Sequence, residues 1–463
     1  MLFSSVTFLY FFLPTVLALY FLAPRRCKNA VLLIASLVFY AYGEPRLVAL
    51  MLASVLSGYV HGLLIERFRG TRAGKAFLVS SVCFSLAPLL VFKYADFFIG
   101  NLNALGASLP LLKLALPIGI SFYTFQIISY TVDVARGTAK AQRNFIDLAT
   151  YISLFPQLIA GPIVRYTDVE SALHTRTHSA EAVGSGALRF SIGLGKKVLI
   201  ANLLGELCAA LRAAEASVLG SWGYAAALCL QIYFDFSGYS DMAIGLGTML
   251  GFHFPENFNY PFISQSATEF WRRWHMTLGG WFRDYVYIPL GGSRAGAWKQ
   301  VRNILIVWGL TGFWHGASWN FIVWGLFFGV LLIAEKLFFS KLLKNMPRIF
   351  RHLYLLLAAL ISFLIFDAAS LSEAGRAIAG LFGGAPLTSA AGLYSLRSYL
   401  VVLLLAAIGA TPLPKAAVTR LSATRAGNVL VSVLTPLFMV ALLAVSTAYL
   451  VDGSFNPFLY FRF

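Results

Sequence analysis

Long apolar runs separated by short polar connections recur along the whole chain. A helix that crosses a bilayer needs about 20 mostly apolar residues, and backbone groups in lipid must pair within the segment. We therefore expect an all-α, polytopic membrane protein with about eleven transmembrane helices. The apolar runs cover 7–22, 30–42, 47–65, 76–92, 116–134, 145–164, 190–203, 218–236, 302–313 and 321–339, with further spans near Leu353, Ala377, Tyr399 and Val429.

Two segments depart from this pattern. The run 145–164 contains Pro156, Gly161 and Pro162, which interrupt a helical hydrogen-bond ladder, so we expect a broken or re-entrant segment there. Residues 255–300 mix aromatic and basic side chains and predict short helices at the membrane interface. No connection is as long as an ordinary folded domain of about 100 to 150 residues. We therefore expect one transmembrane domain over 1–463.

Composition supports a membrane protein and changes how its charge is interpreted. Hydrophobic residues make up 59% of the chain and charged residues 12%, against about 25% charged residues in soluble domains. The net charge of +17 would suggest nucleic acid in a soluble protein. Here the basic residues cluster in short loops around Arg25, Arg67 and Arg136, as the positive-inside rule expects, with the N-terminus outside. The first apolar run has no cleavage site and is expected to remain as a helix.

Several kinds of chemistry are disfavoured by missing motifs. The chain has no Walker A loop, no HExxH and no nucleophile elbow. His174 and His178 are four residues apart but have neutral and basic neighbours, so we expect no metal site. The four cysteines show no CxxC or zinc spacing and are interpreted as packing residues.

His315 is the clearest candidate for chemistry, because an ionisable residue inside a membrane span is costly and usually functional. At helical spacing it shares a stripe with Trp308, Thr311, Gly312, Ser318 and Trp319. The small residues of this stripe would leave room for a substrate beside the imidazole. The alternative is a structural histidine that hydrogen-bonds between helices.

His275 lies in a second polar and aromatic pattern. On one helix, Thr268, Trp271, His275 and Leu278 would share a face, while Glu269 could pair with Arg272 and Arg273 along another. A functional histidine is one interpretation. An interfacial helix whose tryptophans anchor at lipid headgroups is the other.

Arginines follow His275 closely along the chain. Arg272, Arg273, Arg283 and Arg294 lie in a stretch that also contains Gly291 and Gly292. Guanidinium groups suit phosphate, so this stretch could bind a phosphorylated donor. From the residues alone, attraction to anionic lipid headgroups is the favoured interpretation.

A further polar cluster ends the apolar run 218–236. Asp235, Ser237 and Asp241 lie there with Tyr239 and Ser240, and Ser237 and Asp241 share a helical face. The cluster could be a hydrogen-bonded helix end or could orient a catalytic histidine.

These motifs, in this order, resemble the membrane-bound O-acyltransferase family in its bacterial alginate O-acetyltransferase branch. The matching stretches are residues 231–245, 256–262, 269–275 and the Trp-His-Gly of 314–316, with 117–123, 161–162 and 460–463. The resemblance implies a helical membrane fold with a funnel on each side. It also implies that His315 takes the place of the family's catalytic histidine and His275 that of the second position. Arg272, Arg273, Arg283 and Arg294 then become candidates to bind acetyl-coenzyme A.

The resemblance implies an O-acyltransferase in a bacterial cell membrane that moves acetyl groups from cytoplasmic acetyl-coenzyme A toward a cell-surface polysaccharide. An exported acetyltransferase with its own serine nucleophile is the expected partner. Two alternatives within the family are D-alanyl transfer to teichoic acid and O-acetylation of peptidoglycan. A transporter or flippase for lipid-linked sugars is the alternative from another class.

Overall fold

The computed structural model describes residues 1–294 and 296–453, and every regular element within them is helical. The 460–463 motif lies outside the described residues. The α-helices are Leu13–Leu22, Lys28–Ala41, Val48–Arg67, Arg72–Leu89, Ala95–Ala104, Ile120–Arg136, Phe145–Ser153, Phe155–Leu158, Tyr166–His174, Ala180–Gly195, Asn202–Ala213, Val218–Met249, Ala267–Trp271, Met276–Phe282, Ala297–His315, Trp319–Ala334, Ser340–Asn345, Arg348–Asp367, Leu371–Ala379, Ala390–Ser398, Leu400–Gly409, Leu413–Ser422 and Arg425–Asp452. Single π-helical turns occur at Phe8–Phe12, Leu90–Tyr94, Lys196–Ala201, Arg283–Tyr287 and Glu335–Phe339, and 3₁₀ turns at Arg25–Cys27 and Pro261–Ile263.

In the described part of the chain, five helical segments are long and apolar enough to cross a membrane. A sixth is added if Ala390–Ser398 and Leu400–Gly409, which meet at 55°, form one broken span. The five are Val48–Arg67, Arg72–Ala104, Trp319–Asn345, Arg348–Asp367 and Arg425–Asp452. The all-α prediction is confirmed.

The span expected near Ala377 is wrong. The helix there, Leu371–Ala379, has nine residues and carries Glu373 and Arg376. At 1.5 Å per residue such a helix falls well short of the roughly 30 Å hydrocarbon core. Ala377 instead lies against the core of the second half of the chain.

The last helix of the described residues, Arg425–Asp452, has a surface suited to lipid. Its apolar side chains face outward, with Leu437 62% and Val440 61% exposed. A row of exposed leucines and valines on a helix of this length is typical of contact with acyl chains.

The chain forms two compact units. The first contains Met1–Phe190 and Met242–Pro255, and the second contains Ser191–Asp241 and the described residues from Glu256 onward. The prediction of one acyltransferase domain over 1–463 stays a prediction.

The broken segment predicted at 145–164 is confirmed in the first unit. The helix Phe145–Ser153 stops at Leu154, and a single turn, Phe155–Leu158, follows with Pro156 in its first turn. From there to Val164 the side chains are buried. Irregular backbone is thus packed against protein, which is the condition under which it is tolerated in a membrane protein.

The second unit contains a close pair of helices, Ala297–His315 and Trp319–Ala334. A Cβ atom on Gly312 would lie 2.2 Å from the carbonyl oxygen of Phe321, and one on Gly325 would lie 2.2 Å from that of Trp308. Neither position can carry a side chain without moving backbone. The glycines therefore let two helices approach closely, as small residues commonly do in membranes.

Residues 255–300 form short helices, as predicted, but part of the segment is interior. Phe270 and Trp274 stack with ring centroids 5.5 Å apart, and Trp274 is buried against Phe363. Trp274 therefore does not anchor at lipid headgroups, which was the interfacial alternative for the tryptophans of this stretch. The stack instead places the end of the Ala267–Trp271 helix inside the second unit.

The cysteines divide into two groups. Cys208 and Cys229 belong to the buried core of the second unit, which confirms their interpretation as packing residues. Cys27 and Cys83 are exposed, so that interpretation is wrong for these two.

Candidate active site

His275 is held in an unusual backbone conformation between two short helices. It follows Ala267–Trp271 and precedes Met276–Phe282, with φ 43° and ψ 50°. The single helix expected through this stretch is therefore broken at the histidine. A non-glycine residue in the left-handed region costs about 1–3 kcal/mol and persists only where its surroundings fix it. Such residues cluster at functional sites.

Hydrogen bonds to Asn257 hold His275 in this conformation. Its backbone carbonyl accepts the N–H of Met276 at 3.0 Å. Its side-chain oxygen lies 3.1 Å from Nδ1 of His275 and accepts the Thr277 hydroxyl at 2.9 Å and backbone N–H at 3.3 Å. Its amide nitrogen donates to the Ser240 hydroxyl at 3.2 Å. One fully buried asparagine thus ties the histidine to the Val218–Met249 helix.

Aromatic rings enclose the His275 imidazole. Phe236 meets it edge-on at 4.7 Å between centroids, and the indole of Trp314 lies 6.2 Å away. The side chain is 1% exposed, and burial lowers the pKa of His275 to about 3. The imidazole is therefore neutral throughout the physiological range.

His315 is the last residue of the helix Ala297–His315. Its ring contacts Trp314, Trp324 and Phe366 at centroid distances of 4.9, 5.0 and 5.3 Å. The two candidate histidines therefore both pack against Trp314, although His275 and His315 lie on different elements. The structure brings them into one aromatic cluster.

The stripe predicted around His315 is only partly correct. Thr311 and Gly312 are buried on the same helix, but the helix ends at His315 and a new one begins at Trp319. Ser318 precedes that second helix, and Trp319 is 54% exposed. Neither residue continues the stripe, because Gly316 is extended and breaks the helical periodicity.

The glycines beside His315 do not leave open space, contrary to the sequence-based expectation. A Cβ on Gly316 would lie 2.2 Å from the ring of Phe321, and Gly312 meets the backbone of the same residue. The Trp319–Ala334 helix occupies the space that side chains at these positions would need. These glycines hold the His315 end of the helix tightly against its neighbour.

A buried carboxylate anchors the start of the helix that leads to His275. Glu335, in the π-helical turn Glu335–Phe339, accepts the backbone N–H groups of Ala267 at 2.5 Å and Thr268 at 2.9 Å. It also accepts the hydroxyls of Thr268 at 2.6 Å and Tyr354 at 3.2 Å. These donors include the unpaired N–H groups of a helix N-terminus, which carboxylates stabilise.

The four candidate arginines differ in their partners. Arg273 pairs with Glu269 at 3.0 Å, as the spacing predicted, and Arg283 pairs with its neighbour Asp284 at 2.7 Å. Arg272 and Arg294 are exposed and form no ion pair with the described residues, so the expected pairing of Arg272 with Glu269 is wrong. In the described part of the chain these two guanidinium groups are therefore not neutralised by a carboxylate and are accessible to an anionic ligand.

The polar cluster after Phe234 is built around two lysines. Lys197 pairs with Asp235 at 2.5 Å in the buried interior, and Lys196 pairs with Asp241 at 2.6 Å. Ser240, from the same helix, bonds Asn257 and so reaches His275 through one residue. The cluster therefore contains both an ion-paired helix and a hydrogen-bonded link to the histidine.

His174 and His178 have ordinary polar partners in the first unit. His178 Nε2 lies 2.9 Å from the Tyr20 hydroxyl, and His174 Nδ1 lies 3.9 Å from a carboxylate oxygen of Asp147. Among residues 1–294 and 296–453, no three His, Cys, Asp or Glu side chains are grouped as metal ligands would be.

Sequence reasoning missed Asn257 and Glu335 as parts of the site. Asn257 lies in the 256–262 motif that supported the family resemblance, but its spacing from His275 gives no sign of contact. Glu335 gave one usable signal, since an acidic residue in an apolar run is expected to have a buried partner.

Comparison with known proteins now decides the family. The profile described as MBOAT, membrane-bound O-acyltransferase family, matches residues 47–372. The chain belongs to this family. A probable alginate O-acetylase of Azotobacter vinelandii is 39% identical, and one of Pseudomonas putida is 40% identical, each over 100% of both chains. A peptidoglycan O-acetyltransferase of Helicobacter pylori is 32% identical over 83% of this chain and 80% of its own. This membrane-bound O-acyltransferase is therefore a multi-pass membrane enzyme of the alginate O-acetylase type.

Proposed function

We propose that this acyltransferase takes acetyl groups from acetyl-coenzyme A for the O-acetylation of an alginate-like cell-surface polysaccharide. The similarity to probable alginate O-acetylases over the full length of both chains carries the proposal. The pair of buried histidines around Trp314 supplies side chains suited to acyl transfer.

His315 is the proposed general base. It would accept the proton of an attacking hydroxyl while the hydroxyl oxygen forms a bond to the thioester carbonyl carbon. When the carbon–sulfur bond breaks, the same proton passes to the departing thiolate of coenzyme A. His315 ends a 19-residue helix, and the partial negative charge of a helix C-terminus favours the imidazolium that forms between these two steps.

His275 and the arginines have proposed roles beside this step. The buried, neutral His275, which contacts the same indole as His315, would contact the reacting groups beside it. Arg272 and Arg294, with Arg273 and Arg283, would bind the phosphates of the donor. Exposed guanidinium groups suit this task because they present several donors in one plane to phosphate oxygens.

The proposed topology has about eleven membrane crossings, with a funnel on each side and the N-terminus outside the cytoplasm. Basic loops around Arg25, Arg67 and Arg136 support this orientation. The membrane would be the bacterial cell membrane, since the compared relatives are bacterial.

The acetyl group would then pass to a separate exported acetyltransferase that carries its own serine nucleophile. The longest connection between described α-helices before Val218 is 105–119, far shorter than a folded domain of about 100 residues. A long polysaccharide therefore has no binding domain in these connections.

The test is transfer from radiolabelled acetyl-coenzyme A by purified protein in lipid vesicles. Wild type should release labelled acetyl from the thioester, and His315→Ala should lose at least roughly 10²-fold in rate while keeping its thermal stability. His352→Ala is the matched control, because His352 bonds the carbonyl of Ser264 at 3.1 Å and lies outside the candidate site. Full activity of a folded His315→Ala protein would refute the general-base role.

The acceptor is tested in the same vesicles. Alginate should become labelled when extracts containing exported partners are added, and should stay unlabelled without them. Efficient labelling of alginate by this chain alone would refute the relay. Labelling of peptidoglycan instead, transfer of D-alanine instead of acetyl, or sugar transport without any transfer would overturn the proposed substrate.

A further inference from the structure

The hydrogen bonds around Asn257 determine which nitrogen of His275 carries a proton. The backbone N–H of Thr277 lies 3.3 Å from the side-chain oxygen of Asn257 and can only donate. A flipped amide would turn its NH₂ group toward that N–H. The oxygen must therefore face Thr277, and the amide nitrogen is left to donate to Ser240 at 3.2 Å.

The same oxygen lies 3.1 Å from Nδ1 of His275. Because a carbonyl oxygen only accepts, Nδ1 must carry the hydrogen. In a neutral imidazole the other nitrogen then has a lone pair. Nε2 of His275 is buried and has no hydrogen-bond partner in the described part of the chain, which is costly unless a ligand supplies one.

We infer that Asn257 is a positioning residue that holds His275 in the Nδ1–H tautomer, so that Nε2 presents a hydrogen-bond acceptor to the substrate. The group that His275 meets must then be an N–H or O–H donor. Of the reacting groups in acetyl transfer, the attacking hydroxyl gives its single hydrogen to His315, and the thioester carbonyl has no hydrogen to give. Nε2 of His275 would thus accept from another O–H or N–H group of the acceptor and orient it, and would not stabilise the oxyanion.

Backbone hydrogen bonds support the positioning role of this segment independently of the side chains. The left-handed conformation of His275 is bracketed by two backbone hydrogen bonds, Met276 N–H to Asn257 and Asn259 N–H to Arg273, at 3.0 and 2.8 Å. Residues 257–259 therefore fix both the strained backbone of His275 and its ring. This inference rests on the proposed function only in naming an O–H or N–H group of the acceptor as the ligand of Nε2.

The experiment reads the tautomer directly. Protein labelled with ¹⁵N-histidine, with the His275 signals assigned by comparison with His275→Gln, should show a protonated Nδ1 and an unprotonated Nε2. Asn257→Leu should abolish that preference, whereas Asn257→Asp keeps an acceptor oxygen at the same place and should retain it. Asn303→Leu is the matched control, since Asn303 is equally buried but bonds the carbonyls of Leu290 and Gly292. It should leave the His275 tautomer unchanged.

Kinetics separate positioning from a structural role. Asn257→Leu should lower kcat roughly 10²-fold with little change in KM for acetyl-coenzyme A, and Asn257→Asp should restore most of the loss. A proton on Nε2 in wild type, or wild-type kcat in Asn257→Leu, would overturn the inference. If Asn257→Leu does not fold, the wild-type spectrum and Asn257→Asp still decide. Failure of the proposed function would appear separately, as an absence of acetyl transfer in wild type with the tautomer unchanged.

Discussion

The imidazole of His275 and the indole of Trp314 lie with ring centroids 6.2 Å apart, and the same indole contacts the ring of His315 at 4.9 Å. One indole therefore contacts both histidines. Its position depends on the Ala297–His315 helix, whereas His275 depends on Asn257. Acyl transfer that uses both histidines should then be sensitive to Trp314 itself.

Replacing Trp314 with alanine should strongly reduce acetyl transfer and also lower thermal stability, because Trp→Ala in a core costs about 3–5 kcal/mol. Trp314→Phe keeps an aromatic ring at this position and should retain more of both. Trp298→Ala is the control, since Trp298 lies on the same helix but is 85% exposed. Melting temperature and kcat/KM should be measured for all three variants. Normal kcat/KM in Trp314→Ala would show that acetyl transfer does not depend on the contact of both histidines with Trp314.

The contact between Gly312 and the Trp319–Ala334 helix predicts a graded pair of alanine variants. Gly312→Ala places a Cβ 2.2 Å from the carbonyl oxygen of Phe321 and must push the helices apart. Overpacking of this kind costs about 1–3 kcal/mol. Gly309→Ala, on the same helix, meets only Leu326 at 3.8 Å and should be tolerated. Thermal unfolding in detergent checks both, and equal melting temperatures would contradict the close packing.

The sequence predicted what depends on local composition. Apolar runs gave an all-helical membrane protein, and Pro156 with Gly161 marked the broken segment correctly. The spacing of Glu269 and Arg273 predicted their ion pair, which forms although Arg273 lies two residues beyond the end of the Ala267–Trp271 helix.

The sequence did not predict what depends on helix ends and tertiary packing. Helical periodicity was extended past His315 to Ser318 and Trp319, although Gly316 ends the helix there. Small residues were interpreted as leaving space for substrate, yet a neighbouring helix occupies the space beside Gly312. Asn257 and His275 lie in irregular backbone, and a sequence without helical or strand periodicity does not predict which of its residues come into contact.

Glu335 offers a test of the support beneath His275. Ala267 and Thr268 donate their N–H groups to different oxygens of Glu335, so Glu335→Gln turns an NH₂ group toward one of these two donors. Each lost hydrogen bond to a charged group costs about 1.5–3 kcal/mol, so melting temperature should fall and acetyl transfer with it. Glu373→Gln is the control, because Glu373 accepts the N–H of Ala369 at an exposed helix start. Wild-type stability in Glu335→Gln would show that the carboxylate is not the anchor of this helix.

The ion pairs of the four arginines distinguish among them in a way that the sequence could not, and this gives a prediction. Arg272 and Arg294 are exposed and unpaired among the described residues, whereas Glu269 and Asp284 already neutralise Arg273 and Arg283. If the stretch binds the donor phosphates, Arg272→Glu and Arg294→Glu should raise KM for acetyl-coenzyme A more than Arg283→Glu does. Loss of one charge-assisted hydrogen bond costs about 1.5–3 kcal/mol, or roughly tenfold or more in affinity.

The measurement is KM for acetyl-coenzyme A at low and high salt, in vesicles of neutral and of anionic lipid. A donor site predicts that the KM increase persists in neutral vesicles and shrinks at high salt, because exposed charges are screened. Arg420→Glu, on the exposed Leu413–Ser422 helix, controls for a general change in surface charge. If KM is unchanged in every variant and only binding to anionic vesicles weakens, the arginines bind lipid headgroups and the donor site lies elsewhere.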